Sequence, residues 1–199
     1  KGSVFEGGIR VPGIIEWPAV IQPRITNYPA CVMDLFPTVA DIVGLPASVM
    51  VKPVDGISLR PLFARETGAR SQPFGFRYQA KRALVDDRYK LLTENLGGGK
   101  FQLYDLIADP NETRDLSAER PEIAAKLQQQ LLAWNTSMDA SVAGRDYPEG
   151  KVSPADPEPI NWHEVAAYQP YLAAWKERWE YANFMNRDAK AGKGAKKKK

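Results

Sequence analysis

Residues 73–106 have the sequence PFGFRYQAKRALVDDRYKLLTENLGGGKFQLYDL. Short apolar and aromatic runs alternate here with residues typical of turns. The pattern predicts four β-strands: Phe74–Gln79, Arg82–Val85, Tyr89–Thr93 and Phe101–Leu106. Asp86-Asp87 predicts a tight turn, and residues 95–99 predict a hairpin loop. Because these links are too short for a crossover, the strands are expected to pair antiparallel.

A helix is predicted to follow this sheet, from about Pro121 to Trp134. Proline suits the first position of a helix, where its missing N–H is not needed. Four apolar side chains recur on one face of this helix: Ile123, Leu127, Leu131 and Trp134. Such a stripe is expected to cover one face of the sheet. Residues 73–143 are therefore predicted to form a small α+β domain, an antiparallel sheet of about four strands packed on a helix.

The region before the sheet has less regular signals. The glycines within residues 1–8 favour a loop. Residues 11–18, Val-Pro-Gly-Ile-Ile-Glu-Trp-Pro, predict a short strand between prolines. A helix is predicted from Asp34, as its N-cap, to about Val43, with Gly44 ending it. Residues 45–72 read as mostly irregular.

The region after the sheet domain changes character. Residues 144–160 contain four prolines and several charges, which favour an extended, wrapping segment. A last helix is predicted over residues 171–187, and residues 144–189 are taken together as an extension. Its apolar face would hold Leu172, Trp175, Trp179 and Ala182. The Lys-rich residues 190–199 are predicted to be a disordered basic tail.

Composition limits the possible functions. The net charge is +3, but residues 187–199 hold seven Lys and Arg and one Asp, a charge of +6, which leaves −3 for residues 1–186. No specific nucleic-acid partner is therefore expected. With one cysteine, Cys31, and one histidine, His163, the chain has no internal disulfide and no transition-metal site of the usual kind. Its apolar runs are too short for a transmembrane segment.

The segment whose side chains most suggest a functional site is residues 1–12, KGSVFEGGIRVP. Lys1 offers three hydrogen-bond donors and a point charge to an oxyanion. Glu6 and Arg10 can pair and fix the loop, and Gly7 and Gly8 lie between them. On spacing alone, an ordinary charged surface loop explains the segment equally well.

Four motifs in order point to a known family. They are the Lys-Gly-(three residues)-Glu-Gly-Gly-Ile-Arg-Val-Pro run at residues 1–12, Asp-Leu-Phe-Pro-Thr at 34–38, Asp-Gly-Ile-Ser-Leu-Arg-Pro-Leu at 55–62, and Tyr-Lys-Leu at 89–91 followed by Leu-Tyr-Asp-Leu and Asp-Pro-Asn-Glu at 103–112. Together they resemble the sulfatase family, whose fold is similar to that of alkaline phosphatases. The resemblance covers residues 1 to about 138.

The resemblance implies a division of the chain and a site. Residues 1–72 would be the end of the large catalytic α/β domain, and residues 73–143 the small C-terminal domain. Lys1 falls on the family's late active-site lysine, so it is predicted to be catalytic and to bind the sulfate of the substrate. Glu6, Gly7, Gly8 and Arg10 are predicted to support the active-site loop. The substrate would be a sulfated small molecule or glycan, and the protein would be secreted or periplasmic, although no signal peptide is visible in residues 1–199.

The family's other catalytic parts have no match here. The resemblance implies a formylglycine made within a Cys/Ser-x-Pro-x-Arg motif and a calcium ion, both upstream of the lysine signature. Cys31 is followed by neither the Pro nor the Arg, and the run from Ser71 has Gly75 where the Arg is needed. No metal site is therefore expected within these residues, and the chain alone is predicted to be inactive.

Two alternatives remain open at this stage. A related enzyme of the same superfamily would cleave phosphate or phosphonate esters, with Thr as its upstream nucleophile. A non-catalytic binding module would instead have its upstream nucleophile replaced. The sequence does not set the oligomeric state.

Overall fold

The computed structural model describes residues 2–148, 150–151 and 162–181. Residues 1–152 form one compact unit and residues 153–199 a second. The predictions for Lys1, for the tail at 190–199 and for most of the wrapping segment concern residues outside those described.

The predicted sheet is confirmed. Its strands are β1 (Phe74–Tyr78), β2 (Lys81–Asp86), β3 (Tyr89–Thr93) and β4 (Gln102–Asp105). They pair antiparallel in the order β1-β2-β3-β4, so each strand lies beside its neighbour in sequence. Gln79 and Asp87 adopt positive φ angles of 52° in the two tight turns, which lets two-residue links close the hairpins.

One face of the sheet is covered by helix α4 (Pro121–Val142). A row of residues in register crosses this face: Gly75, Leu84, Leu91 and Leu103. Leu127 and Leu131 of α4 are buried against the three leucines, as the stripe predicted. The Trp134 ring lies directly over Gly75, where a Cβ would come within 2.5 Å of it, so the helix approaches the sheet closely at this point.

Helix α4 runs about two turns beyond its predicted end at Trp134. No glycine or proline interrupts residues 135–143, and the chain leaves the helix at Gly144, whose φ is 77°. The Gly144 N–H donates to Ser141 O and the Arg145 N–H to Ala140 O, which closes the last turn. The apolar stripe ends before the helix does. In the last turns, an ion pair between Asp139 of α4 and Arg77 of β1 links the helix to the sheet.

The opposite face of the sheet packs on the N-terminal segment. Side chains alternate between the two faces of a strand, so Ala83 and Leu92 point away from α4. With Tyr104 and Val4 they form a second buried cluster, against which Phe5 and Phe76 also pack. Val4 and Phe5, which lie in the segment that holds the lysine signature, therefore pack directly on this face of the sheet.

Three short helices precede the sheet: α1 (Glu6–Ile9), α2 (Leu35–Ile42) and α3 (Arg60–Ala64). 3-10 turns lie at Val32–Asp34 and Ala47–Val49. The prediction of a loop over residues 1–8 is wrong for residues 6–8, which lie in α1. The predicted strand at 11–18 is also wrong: these residues pair with no strand in the described part of the chain, and Val11 and Ile14 are exposed.

Helix α2 confirms the prediction for residues 34–43, and Gly44 follows it at a φ of 72°. Asp34 is the N-cap residue of α2, as predicted, but its carboxylate makes no capping hydrogen bond to the helix. An apolar face of this element is exposed. It consists of Leu35, Phe36, Val39 and Val43.

In the second unit, 3-10 turns at Trp162–Glu164 and Ala166–Tyr171 lead into helix α5 (Leu172–Trp175). The predicted helix over 171–187 is interrupted at residues 176–178, which form a turn; residues 179–181 are helical again, and later residues lie outside those described. Trp175 stacks on Tyr181 across this break, with ring centroids 5.8 Å apart. No helix among the described residues is both long and apolar enough to cross a bilayer.

Candidate functional site

A buried lysine with two carboxylate partners lies beneath the N-terminal segment. Lys90 Nζ is 2.9 Å from Glu6 Oε1 and 2.8 Å from Glu112 Oε1. The side chain of Lys90 is fully buried, and those of Glu6 and Glu112 are 13% and 2% exposed. The contact with Glu112 is an ion pair and not an aligned hydrogen bond. We call these three residues the Glu6–Lys90–Glu112 cluster.

The backbone positions each member of the cluster. Lys90 is the second residue of β3, paired with Val85 and Tyr104, and it points away from α4. Glu112 has a positive φ of 55°, which turns its side chain under the sheet. The turn before it is held by Asp109, whose carboxylate accepts from the N–H groups of residues 113 and 114. Those backbone bonds, the one from residue 114 first, keep the pKa of the Asp109 carboxyl below its ordinary value.

The cluster also holds the backbone of the lysine signature. The Glu6 N–H donates to Glu112 Oε2 at 2.5 Å. At the other end of the segment, Lys81 Nζ donates to Gly2 O at 3.1 Å. Between them, the side chain of Val4 is buried in the sheet. Residues 2–6 are thus fixed at both ends and in the middle.

The two glycines predicted to support the loop differ in what surrounds them. A Cβ on Gly8 would lie 2.6 Å from Ser3 O, so the chain passes too close for a larger residue. A Cβ on Gly7 would meet nothing within 4 Å. Arg10 Nη1 lies 3.8 Å from Glu6 Oε2, the pairing expected from the sequence, but Arg10 is largely exposed and Lys90 lies closer to Glu6.

A second buried ion pair lies beneath α2. Arg70 donates to both carboxylate oxygens of Asp34, at 2.9 and 2.8 Å, and both side chains are fully buried. Asp34 also accepts from the N–H groups of Cys31 and Ile57. A Cβ on Gly56 would lie 2.0 Å from Met33 O, so the loop at 55–62 passes directly over the start of α2. This pair is therefore a structural junction.

Sequence reasoning assigned Lys90 and Glu112 to a strand and a turn, and it missed that they contact Glu6. The available signal was a lysine within a predicted strand, preceded by Tyr89 and followed by two apolar residues, Leu91 and Leu92. A lysine in such a position needs a buried acidic partner, but nothing in the local pattern says which one.

Neither a metal site nor a nucleophile is evident in the described part of the chain. No group of three or more His, Cys, Asp or Glu side chains there is arranged to hold a metal ion. Burial first, and then the nearby Asp34 carboxylate, raise the pKa of the Cys31 thiol to about 11. Cys31 is thus a neutral thiol at physiological pH and a poor nucleophile. Among the described residues, these observations identify neither a calcium site nor a formylglycine precursor.

Residues 1–137 match the family described as N-sulphoglucosamine sulphohydrolase, C-terminal. The chain belongs to the sulfatase family. A sulfatase of Formosa agariphila is 31% identical in an alignment 157 residues long that covers 67% of this chain and 28% of that protein. Human arylsulfatase A is 30% identical in an alignment 172 residues long that covers 71% of this chain and 33% of that protein. The chain thus spans about a third of the length of these sulfatases.

The sulfatase fold is also found by comparison with solved structures. A structure described under the metabolism of multiple glycosaminoglycans by Bacteroides thetaiotaomicron aligns with a TM-score of 0.59 and 25% identity. The alignment covers 68% of this chain and 31% of that one. All three residues of the Glu6–Lys90–Glu112 cluster lie within the part of the chain that matches the sulfatase family.

Proposed function

We propose that the full-length protein hydrolyses sulfate esters, and that residues 1–199 supply its late active-site lysine, Lys1. Membership of the sulfatase family carries this proposal. The substrate is a sulfated small molecule or glycan, and the protein is secreted or periplasmic. The proposed nucleophile, formylglycine, and the calcium ion belong to a part of the protein outside these residues, so residues 1–199 alone are inactive.

Lys1 contributes an ammonium group to this reaction. As the sulfate ester breaks, negative charge builds up on the sulfate oxygens and on the leaving oxygen. A positively charged donor held in place before the reaction stabilises that charge without reorganising. The anchoring of residues 2–6 on the sheet supports this role, because the residue next to Lys1 in the chain is held by Lys81.

Residues 1–72 are proposed to complete the large α/β domain, residues 73–143 to form the small C-terminal domain, and residues 144–189 and 190–199 to extend it. The exposed apolar face of Leu35, Phe36, Val39 and Val43 supports the first assignment. An apolar patch of this kind marks a surface that another part of the protein covers.

The test is an assay of the purified full-length protein with matched aryl sulfate and aryl phosphate substrates. Sulfatase activity predicts that kcat/KM is far higher for the sulfate ester. A preference for the phosphate ester would replace the proposal with a phosphate or phosphonate ester hydrolase. No turnover of either ester, or of sulfated glycans, would leave a non-catalytic binding module.

A further inference from the structure

The buried ammonium of Lys90 is not easily explained by stability alone. It contacts two carboxylates inside the protein, and all three side chains are almost completely removed from solvent. Desolvation offsets most of the attraction in such a cluster, and apolar replacements of buried ion pairs are often equally stable. What the cluster does provide is a fixed position for Glu6, because Glu112 binds its N–H and Lys90 binds its carboxylate.

The fixed position of Glu6 also restricts the residues just before it in the chain. Residues 2–6 are held by Glu112 at one end, by the buried Val4 in the middle and by Lys81 at Gly2 O. Gly2 itself has a φ of 84° and lies against the Tyr78 ring, so its backbone conformation is specific. Consecutive Cα atoms are about 3.8 Å apart across a trans peptide bond. The backbone that leads to residue 1 is therefore held in place as far as Gly2.

We propose that Lys90, Glu112 and Lys81 are positioning residues for Lys1. They hold residues 2–6 on the sheet so that the Lys1 ammonium meets the sulfate group in the right place. This inference rests on the proposed function. Displacement of a catalytic group by about 1 Å costs roughly 10²-fold in rate, so loss of the anchor reduces turnover although none of the three residues touches substrate.

The first experiment compares Glu112→Ala with Glu112→Gln in the full-length protein, using an aryl sulfate. Alanine removes the acceptor of the Glu6 N–H, whereas glutamine keeps an acceptor oxygen of the same length. We expect kcat of Glu112→Ala to fall by about 10–100-fold with little change in KM. Glu112→Gln should recover part of that loss, because it restores the acceptor for the Glu6 N–H but places its amide NH2 beside Lys90 Nζ.

A matched control separates positioning from general destabilisation. Leu127→Ala empties a buried site on the α4 face of the same sheet and does not contact residues 2–6. It should lower the thermal midpoint yet keep kcat near the wild-type value at temperatures well below that midpoint. In amide hydrogen exchange, residues 2–9 should exchange faster in Glu112→Ala and at the wild-type rate in Leu127→Ala.

If Glu112→Ala does not fold, Lys81→Met decides the question, because Lys81 is partly exposed and its loss leaves the cluster intact. Lys81→Met should lower kcat with an unchanged melting midpoint. Wild-type kcat in a folded Glu112→Ala or in Lys81→Met, or an equal loss in Leu127→Ala or Glu112→Gln, would overturn the positioning role alone. A wild-type protein without activity on sulfate esters would instead remove the proposed function.

Discussion

Arg70 donates hydrogen bonds to both carboxylate oxygens of Asp34, and neither side chain has any exposed surface. The two residues come from different parts of the chain: Asp34 precedes α2, and Arg70 lies just before β1. The Arg70 guanidinium also lies over the Phe74 ring at 4.7 Å. Because Asp34 also binds the N–H of Ile57, one carboxylate joins α2, the following loop and the start of the sheet.

Asp34→Asn should be strongly destabilising. Removing one partner of a buried ion pair leaves the other charge uncompensated, which costs about 3–5 kcal/mol. Asp41→Asn is the control, since Asp41 lies within α2, the helix that Asp34 precedes, but pairs with Arg60 at the surface. In urea denaturation of the full-length protein, Asp34→Asn should greatly lower the free energy of unfolding, and Asp41→Asn should lower it much less. Equal losses would mean that burial of the pair is unimportant.

Low pH should remove the stabilisation that the ionised Asp34 carboxylate contributes. Burial opposes ionisation of its carboxyl, but the bonds from Arg70 and from two backbone N–H groups outweigh it and lower the Asp34 pKa. A carboxyl with a lowered pKa in the folded protein stabilises fully above its unfolded pKa, about 3.9, and loses that effect as the pH falls towards its folded pKa. The difference in unfolding free energy between wild type and Asp34→Asn should be constant from about pH 5 to 8 and shrink below about pH 4. A difference that stayed constant at pH 3 would contradict the assignment.

The sheet and α4 were predictable because their signals are local. The apolar runs and the short turns between them predict the hairpins, and one apolar stripe identifies the face of α4 that packs on the sheet. The Glu6–Lys90–Glu112 cluster was not predictable, because Glu6 and Lys90 are 84 residues apart. Residues that meet only in the folded chain leave no periodic trace in the sequence.

The two wrong elements share a different cause. Residues 11–18 have apolar side chains suited to a strand, but a strand needs a neighbour, and the described residues offer none. The helix predicted from residue 171 follows an apolar stripe, yet it is interrupted at residues 176–178, where Trp175 and Tyr181 stack across the break. In both cases tertiary contacts, or their absence, override the local preference.

Gly7 and Gly8 form a matched pair for testing the loop. Gly8→Ala should displace Ser3, because the new Cβ would lie 2.6 Å from Ser3 O, and it should reduce both the melting midpoint and turnover of an aryl sulfate. Gly7→Ala has open space around the new Cβ and lies in α1, where alanine is favoured by about 1 kcal/mol over glycine. It should leave the midpoint unchanged or raise it. If both variants keep wild-type midpoints and activity, the close approach at Gly8 does not constrain the loop.

Lys1→Ala in the full-length protein tests the residue on which the proposed reaction depends. Loss of one transition-state donor costs roughly 10²–10³-fold in kcat, and we expect that loss on an aryl sulfate. Because Glu112 and Lys81 hold residues 2–6 on the sheet, the melting midpoint of Lys1→Ala should change little. Lys1→Arg keeps the charge but not the compact ammonium geometry, so its activity should lie between that of the wild type and that of Lys1→Ala. Near-normal turnover by Lys1→Ala would show that the sulfate is held without Lys1, and the anchored segment would then need another explanation.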